Sequence, residues 1–238
     1  MESKKINMII GSGLIGAEFK NSIISDNDQI VIYAKGVSNS NCSDANEFIR
    51  DFNSLYDFMQ SKNENVILYY ISTCGVYSEK NNLYIKHKLR CEELVRSYKN
   101  IYIVRLPQVA GKVINDNNLC GYIYNCLTYN KKIHIFKNAK RNIIDVEDVK
   151  KTLLYIIINE IKMPETFNIA APEDIDINDF IKSLEIYTGR TLDKIYVEGE
   201  ACNYKISIND VRGVYSDLKM NFENSYALKT FIKNYLIY

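Results

Sequence analysis

Tryptophan is absent from the 238 residues, histidine occurs twice and proline three times. The two histidines, His87 and His134, stand near no second plausible ligand in the sequence, so no metal site is expected. The cysteines (Cys42, Cys74, Cys91, Cys120, Cys126 and Cys202) form no Cys-x-x-Cys pair and no framework spacing. They read as reduced, partly buried thiols and exclude a disulfide scaffold. Charge of one sign is missing as well. Lys and Arg number 30 against 29 Asp and Glu, a net charge of +1, so no basic field directs the chain to nucleic acid or to an anionic membrane. The apolar runs fall well short of the roughly 18 residues that span a bilayer. The start, Met1-Glu2-Ser3-Lys4-Lys5, leads into a strand-like run with no signal-peptide core. A soluble, cytoplasmic protein is expected. A composition of 47% hydrophobic and 25% charged residues excludes disorder and suffices for one large domain, or one domain with a small appendage.

What is present is an alternation of two patterns. Short β-branched or aromatic runs at Asn7–Ile10, Gln29–Ala34, Val66–Thr73, Ile101–Pro107, Ile133–Phe136, Thr166–Ala170 and Lys194–Val197 predict strands. Between and after them, Leu14–Ile24, Asp44–Gln60, Tyr84–Tyr98, Asn117–Tyr129, Val146–Asn159, Asn178–Gly189 and Ser225–Leu236 carry helical periodicity. Strands alternating with helices predict βαβ units and a parallel sheet, and Val66–Ile71 and Ile101–Val104 are continuously apolar, as strands buried on both faces are.

The first strand runs into Gly11-Ser12-Gly13-Leu14-Ile15-Gly16, and a helix follows. This is G-x-G-x-x-G in the strand–turn–helix setting that dinucleotide binding needs. The first glycine makes the turn, the second lets backbone approach a pyrophosphate, and the third permits close helix–strand packing. The usual companion is a carboxylate about 20 residues on, at the end of the second strand, which holds the adenosine ribose. Here that place reads Ala34-Lys35-Gly36, with no acid. Two explanations stand: Lys35 meets a 2′-phosphate, favouring NADP, or the usual second and third strands are missing.

Tyr84-Ile85-Lys86-His87-Lys88 places a tyrosine and a lysine on one helix face. The pattern alone says little, because composition predicts about two such pairs and two occur, the other being Tyr215 and Lys219. Position separates them. Tyr84 opens a helix shortly after Ser72 and Thr73 end an apolar strand, whereas Tyr215 follows no such strand and reads as structural. A phenol is too weak an acid to act as a base at neutral pH, and a nearby ammonium favours its ionised form. A hydroxyl from Ser72 or Thr73 would hold the oxygen that changes charge. With a nicotinamide delivered by the glycine turn, these groups make a hydride-transfer site.

The sequence resembles the extended short-chain dehydrogenase/reductase superfamily, in its NAD-dependent nucleotide-sugar epimerase/dehydratase branch. The likeness rests on Gly11–Gly16, on Ile71-Ser72-Thr73-Cys74-Gly75-Val76-Tyr77, on Tyr84 with Lys88, on Val104–Gly111, on Arg141–Val149 and on Thr166–Ala170, in that order. It implies a Rossmann-like, doubly wound α/β fold. It also implies a dinucleotide-binding domain over residues 1–160, with 112–140 partly on the substrate side, and a small C-terminal substrate-binding region over 161–238. The activity implied is that of an NAD(P)-dependent ketoreductase or epimerase for a nucleotide-activated sugar, NAD or NADP being left open. A catalytically silent, cofactor-sensing or partner-binding descendant is the alternative. By the resemblance, Tyr84, Lys88 and Ser72 or Thr73 are catalytic. Gly11, Ser12, Gly13, Leu14, Ile15, Gly16, Ala34, Lys35, Gly36, Lys88 and Pro107 hold the cofactor, and Gln108 and Arg141 meet the substrate. The Tyr84 helix resembles those that pair in homodimers of this superfamily.

Two departures shape the expectation. Only 55 residues separate Gly16 from Ser72, fewer than the family uses, so Gln29–Ala34 corresponds to the family's fourth strand and one βαβ unit is missing. Asp145 stands where the family commonly has histidine. On helical spacing, His87 points off the Tyr84/Lys88 face and is expected to meet solvent.

Overall fold

The computed structural model describes residues 9–20, 22, 30–79, 82–112, 117–198, 201 and 203–237. Asn7 and Met8, Gln29, Cys202 and the tail of the first expected helix (21, 23 and 24) lie outside the described residues.

The elements run β1 (Ile9–Ile10), α1 (Leu14–Phe19), β2 (Ile30–Tyr33), α2 (Ala45–Ser61), β3 (Ile67–Thr73), α3 (Leu83–Arg96), β4 (Ile101–Leu106), β5 (Gln108–Ala110), α4 (Leu119–Tyr129), β6 (Ile133–Phe136), β7 (Lys140–Arg141), β8 (Ile143–Asp145), α5 (Val146–Ile158), β9 (Thr166–Asn168), β10 (Ile175–Asp176), α6 (Ile177–Thr188), β11 (Lys194–Val197), α7 (Arg212–Asp217) and α8 (Tyr226–Phe231). Polar side chains start several helices where the spacing expected. Asp44, Asn82, Asn118, Asp145 and Asp176 each accept a first-turn backbone N–H of α2, α3, α4, α5 and α6.

Five parallel strands form the main sheet in the order β1-β2-β3-β4-β9. Its strands are largely apolar, up to the polar ends Ser72-Thr73 and Arg105, because both faces are covered. Ile32, Tyr69, Ile71 and Val104 pack with Phe19 of α1 and with Val149, Leu153 and Ile156 of α5. Val31, Tyr33, Leu68, Tyr70 and Ile103 face the other way, against Leu55 and Met59 of α2 and Cys91 and Val95 of α3. The α/β, Rossmann-like class holds.

The order runs in one direction, without the reversal of the common doubly wound order 3-2-1-4-5-6. Steps β1-α1-β2 and β2-α2-β3 both advance the same way along the sheet, yet α1 and α2 lie on opposite faces, so the two crossovers have opposite hands. Parallel crossovers are right-handed in about 98% of cases. The position of α1 is therefore the one it would hold if the chain next turned the other way, to the two absent strands. Only ten residues separate Phe19 from Ile30, too few for a strand–helix–strand unit of about 30 residues.

A second core joins α4, β6, α6 and α8 around Ile123, Leu127, Ile135, Phe180, Leu184 and Phe231. The packing does not divide at residue 160. Strand β9 completes the main sheet and Val214 and Tyr215 of α7 pack beneath it, whereas α4 and β6 belong to the second core.

Candidate active site

The ends of β1 to β4 open onto one cleft of ≈ 480 Å³. Its walls include Gly11, Ser12, Gly13, Leu14, Ile15, Ala34, Lys35, Gly36, Ser72, Thr73, Tyr84, Lys88, Pro107, Gln108 and Arg141. Every candidate residue from the sequence except Gly16 thus lines it. Gly16 lies behind the wall, where a Cβ would run into the Gly11 carbonyl, which is the packing role of a third glycine. Gly11 adopts φ +128°, and a Cβ there would sit 2.6 Å from the Ala34 carbonyl carbon, so this turn admits glycine alone. A Cβ on Gly13 would meet nothing within 4 Å, because that side faces the open cleft.

Strand β3 delivers two adjacent hydroxyls with different duties. Ser72 Oγ donates to Oε1 of Glu92 at 2.6 Å. Glu92 is wholly buried and also accepts from Arg105 Nη2 at 2.6 Å and Arg96 Nη2 at 3.1 Å. Burial disfavours the Glu92 charge, but hydrogen bonds from Arg105 and Ser72 and the two guanidinium charges hold its carboxyl below the ordinary range. The single proton of the Ser72 hydroxyl is therefore engaged. Thr73 Oγ1 accepts from the Gly75 N–H at 3.0 Å and keeps its own proton to give.

Helix α3 carries Tyr84 and Lys88 one turn apart at the cleft wall, 9% and 5% exposed. Among the described residues neither the Tyr84 hydroxyl nor the Lys88 ammonium has a hydrogen-bond partner. The ammonium has ring contact with Tyr70, 5.8 Å from its centroid.

His87 corrects the expectation. It is 6% exposed, with Nε2 2.8 Å from Asp51 Oδ2 and 3.6 Å from Cys91 Sγ. Helix α3 is covered twice, by the sheet and by α2, so the face beside Lys88 is buried too; Phe48 of α2 lies over the His87 ring. Asp51 also accepts the Val37 N–H at 3.2 Å. Burial works against the Asp51 charge, yet His87, Lys88 and the Val37 N–H hold its carboxyl below the ordinary range. Asp51, His87 and Cys91 place three donor atoms within 4.8 Å, so the sequence-based view that neither histidine nears a second ligand fails for His87. The trio is one ligand short of a closed structural zinc site, and the Lys88 charge adjoins it. His87 and Asp51 share a hydrogen bond beside the Cys91 thiol, which burial pushes up to about 11.

The substrate-side candidates come from the short strands. Gln108 starts β5, which pairs with β8, and Arg141 lies in β7, which pairs with β10. Arg141 Nη1 donates to the Lys140 carbonyl at 2.7 Å. Asp145, in the family's histidine position, is structural: it caps α5 and pairs with Lys233 at 3.0 Å. Tyr215 is likewise structural, its hydroxyl donating to the Ala170 carbonyl at 2.8 Å. The cleft also takes Ser78, Asn82, Asn117, Asn118 and Tyr204, which the sequence reading did not single out. Tyr204 lies far along the chain with no local pattern to mark it; burial pushes its phenol up to about 12.

Among the described residues no helix is long and apolar enough to cross a membrane. The model of the NAD dependent epimerase/dehydratase family matches residues 24–170. The fold is similar to that of UDP-glucuronic acid 4-epimerase from Bacillus cereus, solved with UDP-glucuronic acid and NAD, at 18% identity and a TM-score of 0.65, over 87% of this chain and 74% of that one. It is similar to dTDP-glucose 4,6-dehydratase from Bacillus anthracis in complex with NAD, at 14% and 0.63, over 94% and 79%. RMD from Pseudomonas aeruginosa, complexed with NADPH, gives 15% and 0.63, over 86% and 80%. At these identities the likeness is one of fold. A search of curated protein sequences finds no match.

Proposed function

The chain belongs to the NAD dependent epimerase/dehydratase family, and from that premise we propose that it is an NAD(P)-dependent ketoreductase or epimerase acting on a nucleotide-activated sugar. One observation carries the reading: Lys88 is buried along its length, lines the cleft, and its ammonium has no hydrogen-bond partner among the described residues. An incompletely compensated buried charge is costly, and a ligand in the cleft would supply what it lacks. A protein that only bound a partner elsewhere would have no use for it.

The chain's residues fit a nicotinamide dinucleotide. The cleft is lined by Gly13, which has open space beside it, by Gly36 next to Lys88, and by Pro107. When bound, that group supplies the acceptor or donor of a hydride. Tyr84 Oη takes or returns the proton on the sugar oxygen at the reacting carbon. Lys88, one turn along the same helix at the cleft wall, would meet the nicotinamide ribose. Thr73 donates to the same sugar oxygen, because the Ser72 proton is held by Glu92. Gln108 and Arg141, which line the same cleft, orient the sugar nucleotide.

The test is turnover of UDP- and dTDP-activated hexoses and 4-ketohexoses with each nicotinamide cofactor, for the natural protein and Lys88→Met. The substitution removes the cleft-side charge at similar volume, and Asp51 keeps His87 and the Val37 N–H, so the fold should persist while turnover disappears. Turnover unchanged in Lys88→Met would overturn the reading.

A further inference from the structure

The missing part of the sheet bears on which cofactor the cleft accepts. In the common doubly wound order, the strand after the glycine turn lies on the far side of β1. It ends in the acid that hydrogen-bonds the adenosine ribose, or has a nearby arginine that takes a 2′-phosphate. Here the next strand, β2, lies on the opposite side of β1 and continues into β3. The ten residues between Phe19 and Ile30 leave no room for the other strand.

The end of β2 does not replace that reader. Lys35 Nζ donates to Ser54 Oγ at 2.6 Å, which ties its charge to α2. The adjoining hollow of ≈ 300 Å³ is lined by Lys35 and Arg50 but also by Glu47 and Asp51, two charges of each sign. Asp51 is engaged by His87 and the Val37 N–H, and Arg50 faces Glu47 at 3.9 Å. Among the described residues the two bases and two acids of this hollow balance, so no net charge there favours or repels a phosphate on the ribose.

On the reading that the cleft holds a nicotinamide dinucleotide, we infer that the protein does not read the 2′ position of its cofactor. NAD(H) and NADP(H) are held alike, through their pyrophosphate and nicotinamide halves, by the Gly11–Gly13 turn and by Lys88. A charged group that hydrogen-bonds the ribose or its phosphate gives a preference on the order of ten- to a hundredfold. That preference should be missing here.

The experiment is separate calorimetric titration of the full chain, freed of carried-over nucleotide, with NADH and with NADPH. The two dissociation constants should agree within about fivefold, and Lys35→Ala should leave their ratio unchanged. A larger preference for either cofactor, or a selective loss of NADPH affinity in Lys35→Ala, overturns the inference while leaving the proposed function standing. Binding of neither cofactor overturns both.

Discussion

Lys88 and Gly36 are in close approach: a methyl group built on Gly36 would lie 2.9 Å from Lys88 Nζ and 3.4 Å from Asp51 Oδ2. The loop after β2 is thus bare at the point where α3 brings its charge to the cleft. Gly36 does not have a positive φ among the described glycines, so its role here is room and not backbone freedom.

Gly36→Ala should therefore act on the site and not on the fold. The added methyl pushes the flexible end of Lys88 aside, a change that costs under about 1 kcal/mol in stability. Cofactor affinity should fall on the order of tenfold, equivalent to about 1.4 kcal/mol. Thermal melting and calorimetry on the same sample check both; unchanged affinity would show that Lys88 does not meet the cofactor where it stands.

The neighbouring hydroxyls should separate by their partners. Thr73→Val removes a donor at the cleft wall and should lower kcat about 10²-fold or more, while loss of the bond from the Gly75 N–H costs about 1 kcal/mol of stability. Ser72→Ala takes a hydrogen bond from buried Glu92 and should cost about 1–3 kcal/mol of stability, with a smaller effect on kcat. Steady-state kinetics and urea unfolding of the two variants distinguish these roles, and a reversed pattern would assign substrate contact to Ser72.

Glu92 makes stability depend on pH in a stated direction. Its carboxyl is held below the ordinary range in the folded chain, so the folded state binds this proton less readily than the unfolded state. The resulting stabilisation is complete above the ordinary carboxylate range, near about 4.3, and is lost as pH falls through the lower folded value. Glu92→Gln should cost about 3 kcal/mol at neutral pH, because Arg105 then faces no counter-charge, while Arg96 keeps Glu165 at 3.2 Å. The gap between the two proteins should narrow on acidification, as followed by urea unfolding across pH; a gap that widened would contradict the sign.

Asp51 is the carboxylate nearest to both His87 and the Lys88 end of the cleft, and its carboxyl too is held low. Asp51→Asn leaves His87 and Lys88 without that negative charge and should destabilise the protein by about 3 kcal/mol. His87→Gln with Asp51→Asn should cost less than the sum of the single changes, since the two groups share one interaction. Additive losses in a double-mutant cycle would show the pair to be uncoupled.

Long apolar strands and the glycine turn were legible because their signals are local. Ile133–Phe136 and Lys194–Val197 are strands at the bounds the alternation implied, and Gly11, Gly13 and Gly16 stand in three different surroundings in one turn. Strands β5, β7, β8 and β10 escaped because two or three residues carry no period and their partners lie far along the chain. His87 was misread because helical spacing shows one buried stripe, whereas α3 is covered on two sides. The choice between Ser72 and Thr73 was open in sequence because it depends on Glu92, a full helix later.

The most direct test of the central claim is the rate of change in reduced-nicotinamide absorbance on mixing cofactor and sugar nucleotide with the natural protein and with Tyr84→Phe. The account predicts turnover of at least one UDP- or dTDP-activated hexose or 4-ketohexose. It predicts a loss of about 10²- to 10⁴-fold in Tyr84→Phe, with cofactor affinity retained. Equal rates in the two proteins would contradict it.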